Sequence, residues 1–584
     1  MTDFRIEHAR FSRDGIAQWT ALGGRFGNWP VVYALNDDRR VYVGESRDVT
    51  KRMKQHREAA AKSGLHTMRV VIDETFNKSV CLDLESHLIR WLSGDGEYQV
   101  LNRNSGIVDA DYYDRVAYRQ TFEEIFERLR EENLFSRSIP EIENSDLFKL
   151  SPYKSLTEDQ AIAVEDIVEG LLDDFASPES PNGGTIVVQG SAGTGKTVVG
   201  IYLLKLLQDI AESRDTDEPD PDSMFSEFFV VENRALLEGV AIAMVVPQQS
   251  LRRSVQKVFR KTPGLQQVEV LSPIQLGRRN QVYDLVVVDE AHRLNQRANQ
   301  SSPAQNRFFS DINIALFGHD EDSFTQLDWV IARSRHRILL LDEHQSVRPA
   351  DLPASTIRRL IEGAAAAYRH YPLTSQMRVQ GGEDYIAYVR DLLAGNTPSR
   401  GTRSFGSYDL RFFDDIGEMH AEIRRLDDEV GLARLVAGFA WDWKTKTDRT
   451  AYDIELDGVQ LRWNQTDKDW INSEGAVDEV GSIHTVQGYD LNYAGVIIGP
   501  DLRYDIDLKR IVFDRASYRD KKGKENNPRL GIVYTDDDLL RYVRNIYSVL
   551  LTRGMRGTFV YVCDPALREY LRERLPLEQN TSLV

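Results

Sequence analysis

The chain has 584 residues, 41% of them hydrophobic and 28% charged, enough to build several cores, about four at roughly 150 residues each. The formal net charge of −18, from 91 acidic and 73 basic residues, excludes a coat protein with a broadly basic surface but not an enzyme with a local basic groove. Two distant cysteines, Cys81 and Cys563, exclude a disulfide framework or metal knuckle and fit a reducing cytoplasm. No apolar run approaches the roughly 18 residues needed to cross a bilayer, and the N-terminus lacks the apolar core of a secretory signal.

In chain order, residues 31–35 and 41–43 read as short strands joined by the turn Asn36-Asp37-Asp38. Helical patterns follow at 49–62, 80–92 and 111–134, and the stretch 135–150, rich in Ser, Pro, Asn and acids, reads as a linker. From 151 onward, strands at 185–189, 242–246, 284–288, 338–342 and 494–498 appear, with helices after the first two at 196–210 and 249–260. Such alternation is the signature of parallel sheets with crossover helices, and its length requires two of them, divided near 365. The expected fold is α/β, with a small mixed α/β domain over 1–107, a helical connector and linker over 108–150, and parallel-sheet lobes over 151–365 and 366–584. The acidic run within 209–227, which carries Asp215, Asp217, Glu218, Asp220 and Asp222, reads as a solvated insertion.

The strongest motif is GSAGTGKT, Gly190 to Thr197, between the strand ending at Gln189 and the helix opening at Lys196. Gly190, Gly193, Thr194 and Gly195 let backbone N–H groups converge on phosphates, Lys196 reaches the β and γ phosphates, and the Thr197 hydroxyl ligates Mg²⁺. YDLVVVDEAH (283–292) delivers Asp289 and Glu290 to the C-terminal edge of a buried strand, where open parallel sheets bind ligands. There Asp289 would hold Mg²⁺ and Glu290 would orient or deprotonate the attacking water. A third strand ends in Asp342-Glu343-His344-Gln345, placing Gln345 to sense the γ-phosphate through water.

Together these residues resemble superfamily 1 helicases and, more narrowly, bacterial relatives of the Schlafen C-terminal helicase domain, over roughly 151–584. The DEAH tetrapeptide invites a superfamily 2 reading, but the Gln345 strand end and LTRGMRG fit superfamily 1 better. The resemblance implies two RecA-like lobes that use ATP and Mg²⁺. It places Gln160 of LTEDQ on the adenine, and Arg252 and Arg253 of VVPQQSLRRSV on the nucleic-acid backbone. Arg378 of LTSQMR and Arg553 of VLLTRGMRG become the two γ-phosphate arginines. Gln487 and Gly488 fall in a motif linking ATP to the nucleic acid, with Asp490 where Glu is more usual. An inserted arginine of this kind contributes on the order of 10³–10⁵ in rate.

Near the N-terminus, VVYALNDDRRVYVGESRDVTKRMKQH (31–56) resembles the GIY-YIG nuclease domain over roughly 28–105, with Val31-Val32-Tyr33 and Tyr42-Val43-Gly44 as its two triplets and its first glycine missing. Arg52 and His56 fall at i and i+4 of one helix face. The resemblance makes Glu85 of LDLESHLI the metal-binding glutamate and Asn102 of YQVLNRN the asparagine that closes the domain. Glu85 would hold one divalent cation, Tyr33 or Tyr42 would help remove a proton from water, and Arg52 would stabilise transition-state charge.

The expectation is therefore an ATP-dependent translocase or helicase with a metal-dependent endonuclease domain, acting in the restriction of foreign DNA or antiphage defence. Its partners would be nucleic acid (DNA ahead of RNA), further copies of itself or other defence subunits, and no membrane. Two rivals fit the same residues: an ATP-switched nucleic-acid sensor or repair factor whose N-terminal module binds without cutting, and an RNA-directed nuclease-helicase.

Overall fold

The computed structural model describes residues 4–21, 28–58, 62, 64–103, 112–177, 184–214, 224–297, 303–397, 401–466, 469–486 and 489–577. Gln487, Gly488 and the acids from Asp215 to Asp222 lie outside the described residues. The chain folds into two compact units, one of 1–181, 197–241 and 254–269, the other of 182–196, 242–253 and 270–584. Among the described residues no helix is long and apolar enough to cross a membrane.

The first unit is built on a mixed sheet of β1 (Arg5–Arg10), β2 (Val31–Asn36), β3 (Arg40–Ser46), β4 (Thr67–Ile72) and β5 (Gln99–Val100), in the order β1-β4-β2-β3-β5. All its pairings are antiparallel except β3 with β5. β2 is buried along its whole length because both sheet faces are covered, and alternate residues serve the two sides. Val32 and Ala34 pack with Val80, Leu84 and Leu88 of the helix Lys78–Asp95. Val31, Tyr33 and Leu35 pack with Val49 and Met53 of the helix Val49–Glu58.

Residues 135–150, read above as a linker, are structured. They carry the short helices Ile139–Glu143 and Asp146–Lys149, and Phe135 and Ile142 join the core beside Phe122, Ile125 and Phe126 of the helix Arg115–Glu131. The polar composition that suggested a tether is capping chemistry. Ser138 and Glu141 form a capping box with Pro140 in the first turn, and Ser145 caps the next helix by accepting from Phe148 N at 3.2 Å. Asp95 anchors the segment by accepting from Arg137 N at 3.0 Å.

The second unit contains two parallel-rich sheets. The first has β6 (Thr185–Gly190), β7 (Ile242–Val245), β8 (Glu269–Leu271), β9 (Tyr283–Val288), β10 (Ser334–Leu341) and β11 (His370–Leu373), in the order β11-β6-β10-β9-β7-β8. Because β11 pairs with β6, this sheet runs past the boundary expected near 365. The apolar runs Leu285 to Val288 of β9 and Ile338 to Leu341 of β10 are what a parallel strand covered on both faces requires.

The second sheet has β12 (Asp409–Phe412), β13 (Ala433–Ala437), β14 (Ile454–Leu456), β15 (Val459–Trp463), β16 (Glu479–Ser482) and β17 (Leu491–Ile498). After the separate hairpin of β18 (Leu502–Asp505) and β19 (Arg510–Phe513) it is completed by β20 (Gly554–Val562), in the order β12-β20-β17-β13-β16-β15-β14. Period-two alternation again divides the faces. Leu435 and Ile497 pack with Met419 and Ile423 of the helix Ile416–Val430. Val436 and Val496 pack with Tyr385 and Ile546 of the helices Gly382–Ala394 and Asp536–Leu551.

Candidate active sites

In the first unit, β2, β3 and the following helix bring the tyrosines, Arg52 and His56 together. Tyr33 and Tyr42 stand 6.3 Å apart by ring centroid, and the edge of His56 meets Tyr42 at 5.0 Å. The Tyr33 hydroxyl lies 2.7 Å from His56 Nε2. This approach needs Gly44 opposite, since a Cβ there would fall 2.2 Å from the Tyr33 oxygen. On the far side of the ring, Lys62 Nζ is 2.7 Å from His56 Nδ1 and 3.4 Å from the Tyr42 ring centroid. An ammonium has only protons to donate, so His56 accepts at Nδ1 and carries its own proton at Nε2, towards Tyr33. Burial, then the Lys62 and Arg52 charges, push the His56 pKa down to about 2, so the ring is neutral. Burial, Tyr42 and Glu85 hold the Tyr33 phenol well above its usual value, against the pull of Arg52.

Glu85 is half-buried on the helix Lys78–Asp95, close enough to Tyr33 to act on its charge. Asn102 does not face this cluster through its amide: its Oδ1 accepts from Val43 N at 3.1 Å and its Nδ2 donates to Val43 O at 2.8 Å. It closes the domain by pinning β3. Lys62 was not singled out by sequence, because nothing in KSG marks it before the fold places it on His56.

In the second unit, β10 is inserted between β6 and β9. The end of β10 therefore lies between the glycine-rich loop and the acidic pair. Lys196 is buried, with Nζ donating to Gly190 O at 2.6 Å and Ser191 O at 2.9 Å and lying 3.9 Å from Asp342 Oδ2. Thr194 is fully buried, its hydroxyl on Ser191 O at 3.0 Å. Gly193 has φ +88°, and a Cβ there would meet Gln376 Oε1 at 2.0 Å. Gly195 has φ +77°.

Asp289 is fully buried at the end of β9, and its Oδ1 accepts from Glu290 N at 3.0 Å. Glu290 has φ +50°, a left-handed conformation uncommon for a residue other than glycine. Burial works against its ionisation, but His292, Lys196 and Arg293 together hold its carboxyl below the usual range. His292 bridges two strand ends. Its Nδ1 accepts from Asp342 N at 3.1 Å, so Nε2 carries the proton and stands 3.1 Å from Glu290 Oε2, in contact but not aligned as a hydrogen bond. Gln345 donates to Asp342 Oδ2 at 2.7 Å.

The segment after β11 serves both sheets. Gln376 donates to Ala192 O at 2.7 Å and accepts from Arg378 N at 3.0 Å, clamping the glycine-rich loop. Arg378 Nε in turn lies 2.6 Å from Asp490 Oδ1, just ahead of β17. Arg553 is 3% exposed and donates to Tyr489 O at 3.1 Å. Its pKa is pushed down to about 10 by burial and then by Arg378. Gln376 and His292 sit inside motifs that the sequence displays, but only their contacts separate them from their neighbours.

Two expected site residues, Arg252 and Gln160, make other contacts. Arg252 turns inward and donates to Val246 O at 2.8 Å and Pro247 O at 3.3 Å, leaving exposed Arg253 as the open basic group of the pair. Gln160, in the first unit, is fully buried and closes a capping box by accepting from Thr157 N at 3.1 Å. Thr197 is half-buried at the start of the helix Lys196–Ala211.

An uncharacterized protein of Saccharomyces cerevisiae, YPL245W, is similar to this chain at 27% identity over 419 residues, 66% of this chain and 83% of that protein. Residues 30–99 match the family described as GIY-YIG catalytic domain, the region of the Tyr33–His56 cluster. Residues 184–564 match that described as Schlafen group 3, DNA/RNA helicase domain, from the glycine-rich strand to the end of β20. That second match covers well over half of the chain, and with the clamped phosphate loop and buried acidic pair already in view, the protein belongs to the Schlafen group 3 helicase-domain family, with a GIY-YIG nuclease-type domain ahead of it.

Proposed function

We propose that the chain is an ATP-driven nucleic-acid translocase or helicase whose N-terminal domain is a divalent-metal-dependent endonuclease, acting on DNA. The observation that carries the motor reading is the double grip of residues 376–378. Gln376 holds the phosphate loop of one sheet while Arg378 pairs with Asp490 of the other. A change at the terminal phosphate would be felt by both sheets, and turnover would then be converted into movement between them. Lys196 would exchange its loop carbonyls for the β and γ phosphates, Glu290 would orient the attacking water, and Arg378 and Arg553 would neutralise charge on the transferring phosphoryl group. Mg²⁺ would be held by Asp289 in the motor and by Glu85 in the nuclease, where it neutralises charge on phosphate oxygens; such hard carboxylate oxygens, completed by substrate phosphates and water, are what Mg²⁺ takes.

In the nuclease domain the neutral, proton-locked His56 is a poor acid, and the Tyr33 phenol is too deeply buried to ionise readily. That leaves half-buried Tyr42, whose ring the Lys62 ammonium covers, as the tyrosine to face a water. Arg52 would take the developing phosphorane charge. The setting we infer is the cutting of invading DNA, as in defence against phage. It rests on the fusion, since a single-metal nuclease of this size needs another domain to find its target.

The test is a cleavage assay with the full chain and Mg²⁺, with and without ATP, on single-stranded, duplex and forked DNA and RNA, with Lys196→Ala in parallel. Cutting of DNA that responds to ATP in the wild type but not in Lys196→Ala is expected. RNA cut in preference to DNA would overturn the substrate, and nucleic-acid-stimulated ATPase without any cleavage would favour an ATP-switched sensor.

A further inference from the structure

Arg293 follows the acidic pair, in the 3₁₀ turn Ala291–Arg293, with its N–H on Glu290 O at 2.8 Å. The residue is 5% exposed, yet its Nε and Nη2 have no hydrogen-bond partner among the described residues. Two carboxylates, Asp351 and Glu290, act on its charge, but no hydrogen bond joins its side chain to either. Asp351, the acid on the facing segment, spends Oδ2 on Val347 N and Arg348 N at 3.0 and 3.2 Å, and Oδ1 makes no bond to Arg293. Arg348 is a second guanidinium beside it, with a buried Nε that is likewise unpartnered. From the second sheet comes Arg553, also buried with an idle Nε, near enough for Arg293 to depress its pKa.

A buried guanidinium whose donors make no hydrogen bond is costly even beside a carboxylate, and neighbouring guanidinium groups that repel one another add to the cost. Glu290, the residue proposed to orient the attacking water, is the N-cap of the same turn, and its carboxylate acts on the Arg293 charge. An anion of more than one charge, entering beside Glu290 between the two sheets, would satisfy both arginines together.

We propose that Arg293 is an anion-binding residue of the motor site, a third guanidinium that takes the terminal phosphate of a bound nucleoside triphosphate with Arg378 and Arg553. The inference rests on the ATP-site reading above. It differs from that reading in adding, beside Lys196, an arginine for the terminal phosphate on the sheet that carries the phosphate loop, so that this charge is recognised before any rearrangement of the second sheet.

The experiment uses the full chain and measures Mg²⁺-AMP-PNP and Mg²⁺-ADP affinity by calorimetry, together with the melting temperature without nucleotide, for wild type, Arg293→Met, Arg293→Lys and Lys196→Ala. In Arg293→Met, AMP-PNP affinity is expected to fall about tenfold or more while ADP affinity stays within about threefold, with partial recovery in Arg293→Lys. The nucleotide-free melting temperature of Arg293→Met should not fall below that of wild type, because the guanidinium removed leaves donors without hydrogen bonds and stands beside Arg348. Undiminished preference for AMP-PNP over ADP would overturn the proposal. A lower melting temperature with both nucleotides weakened alike would also overturn it, making Arg293 a structural partner of Asp351. Weaker nucleic-acid binding with nucleotide preference intact would assign the residue to polymer phosphate instead. If wild type bound neither nucleotide, or Lys196→Ala bound both as well as wild type, the ATP-site reading itself would fail and this inference with it.

Discussion

Asp501, just past the end of β17, carries a charge the fold does not favour. Its side chain is fully buried; Oδ1 accepts from the Tyr547 hydroxyl at 2.6 Å, and Oδ2 has no partner among the described residues. Burial raises its pKa from 3.8 to about 6, against the pull of the Tyr547 bond. Because the folded value is the higher one, the stability this group contributes is fully present below the unfolded value and is lost as pH rises through about 6. At about 1.36 kcal/mol per pKa unit the loss amounts to roughly 3 kcal/mol, of which roughly 1.5 kcal/mol falls between pH 5 and 8. Asp501→Asn keeps an acceptor for Tyr547 and removes the ionisation. Whatever the carboxamide itself costs is independent of pH and cancels in the comparison. The melting temperature of Asp501→Asn relative to wild type, followed calorimetrically for the second unit, should therefore rise by about 2 °C from pH 5 to pH 8. A flat difference across that range would show that Asp501 is not ionising in a desolvated site, and the burial argument would be wrong.

Gly44→Ala should abolish cleavage and destabilise the first unit by about 1–3 kcal/mol in urea unfolding, since the new methyl meets the immobile Tyr33 ring; full activity would mean that the Tyr33–His56 approach is not needed. The two basic residues after β7 should separate: Arg253→Ala lowers the salt slope of nucleic-acid binding by about 1 with stability unchanged, whereas Arg252→Ala, losing its bonds to Val246 and Pro247, costs about 1–3 kcal/mol of stability. Equal salt slopes for Arg253→Ala and wild type would place the polymer elsewhere. Glu85→Ala should stop cutting and leave nucleic-acid-stimulated ATPase within about twofold, while Glu290→Gln should retain ATP, lower turnover about a hundredfold or more and alter the cutting pattern. An unaltered pattern would mean the two activities are independent.

The sequence by itself determined the local features. Four buried residues ahead of Asp289, the glycines around Lys196, and the i, i+4 pair Arg52 and His56 each express a rule of short range: apolar runs for covered parallel strands, glycine where φ is positive, helical spacing for a shared face. Composition misled at 135–150, because serine, proline and glutamate in that order cap helices as readily as they fill linkers, and only the core beside Phe126 and Ile142 distinguishes the two. Arg252 misled for a similar reason. An arginine after a strand can point at a polymer or back at the strand's own carbonyls, and nothing in its neighbours says which.

Tertiary structure alone decided what meets what. The insertion of β10 between β6 and β9 sets Asp342 beside Lys196 and His292, residues 146 and 50 positions away from it in the chain. The clamp of Gln376 on Ala192 and the approach of Lys62 to His56 follow likewise from strand order and helix docking. Such contacts depend on how buried surfaces are satisfied across the fold, a global condition that no window of sequence contains, and so the idle arginines of the second unit become visible only when the chain around them is closed.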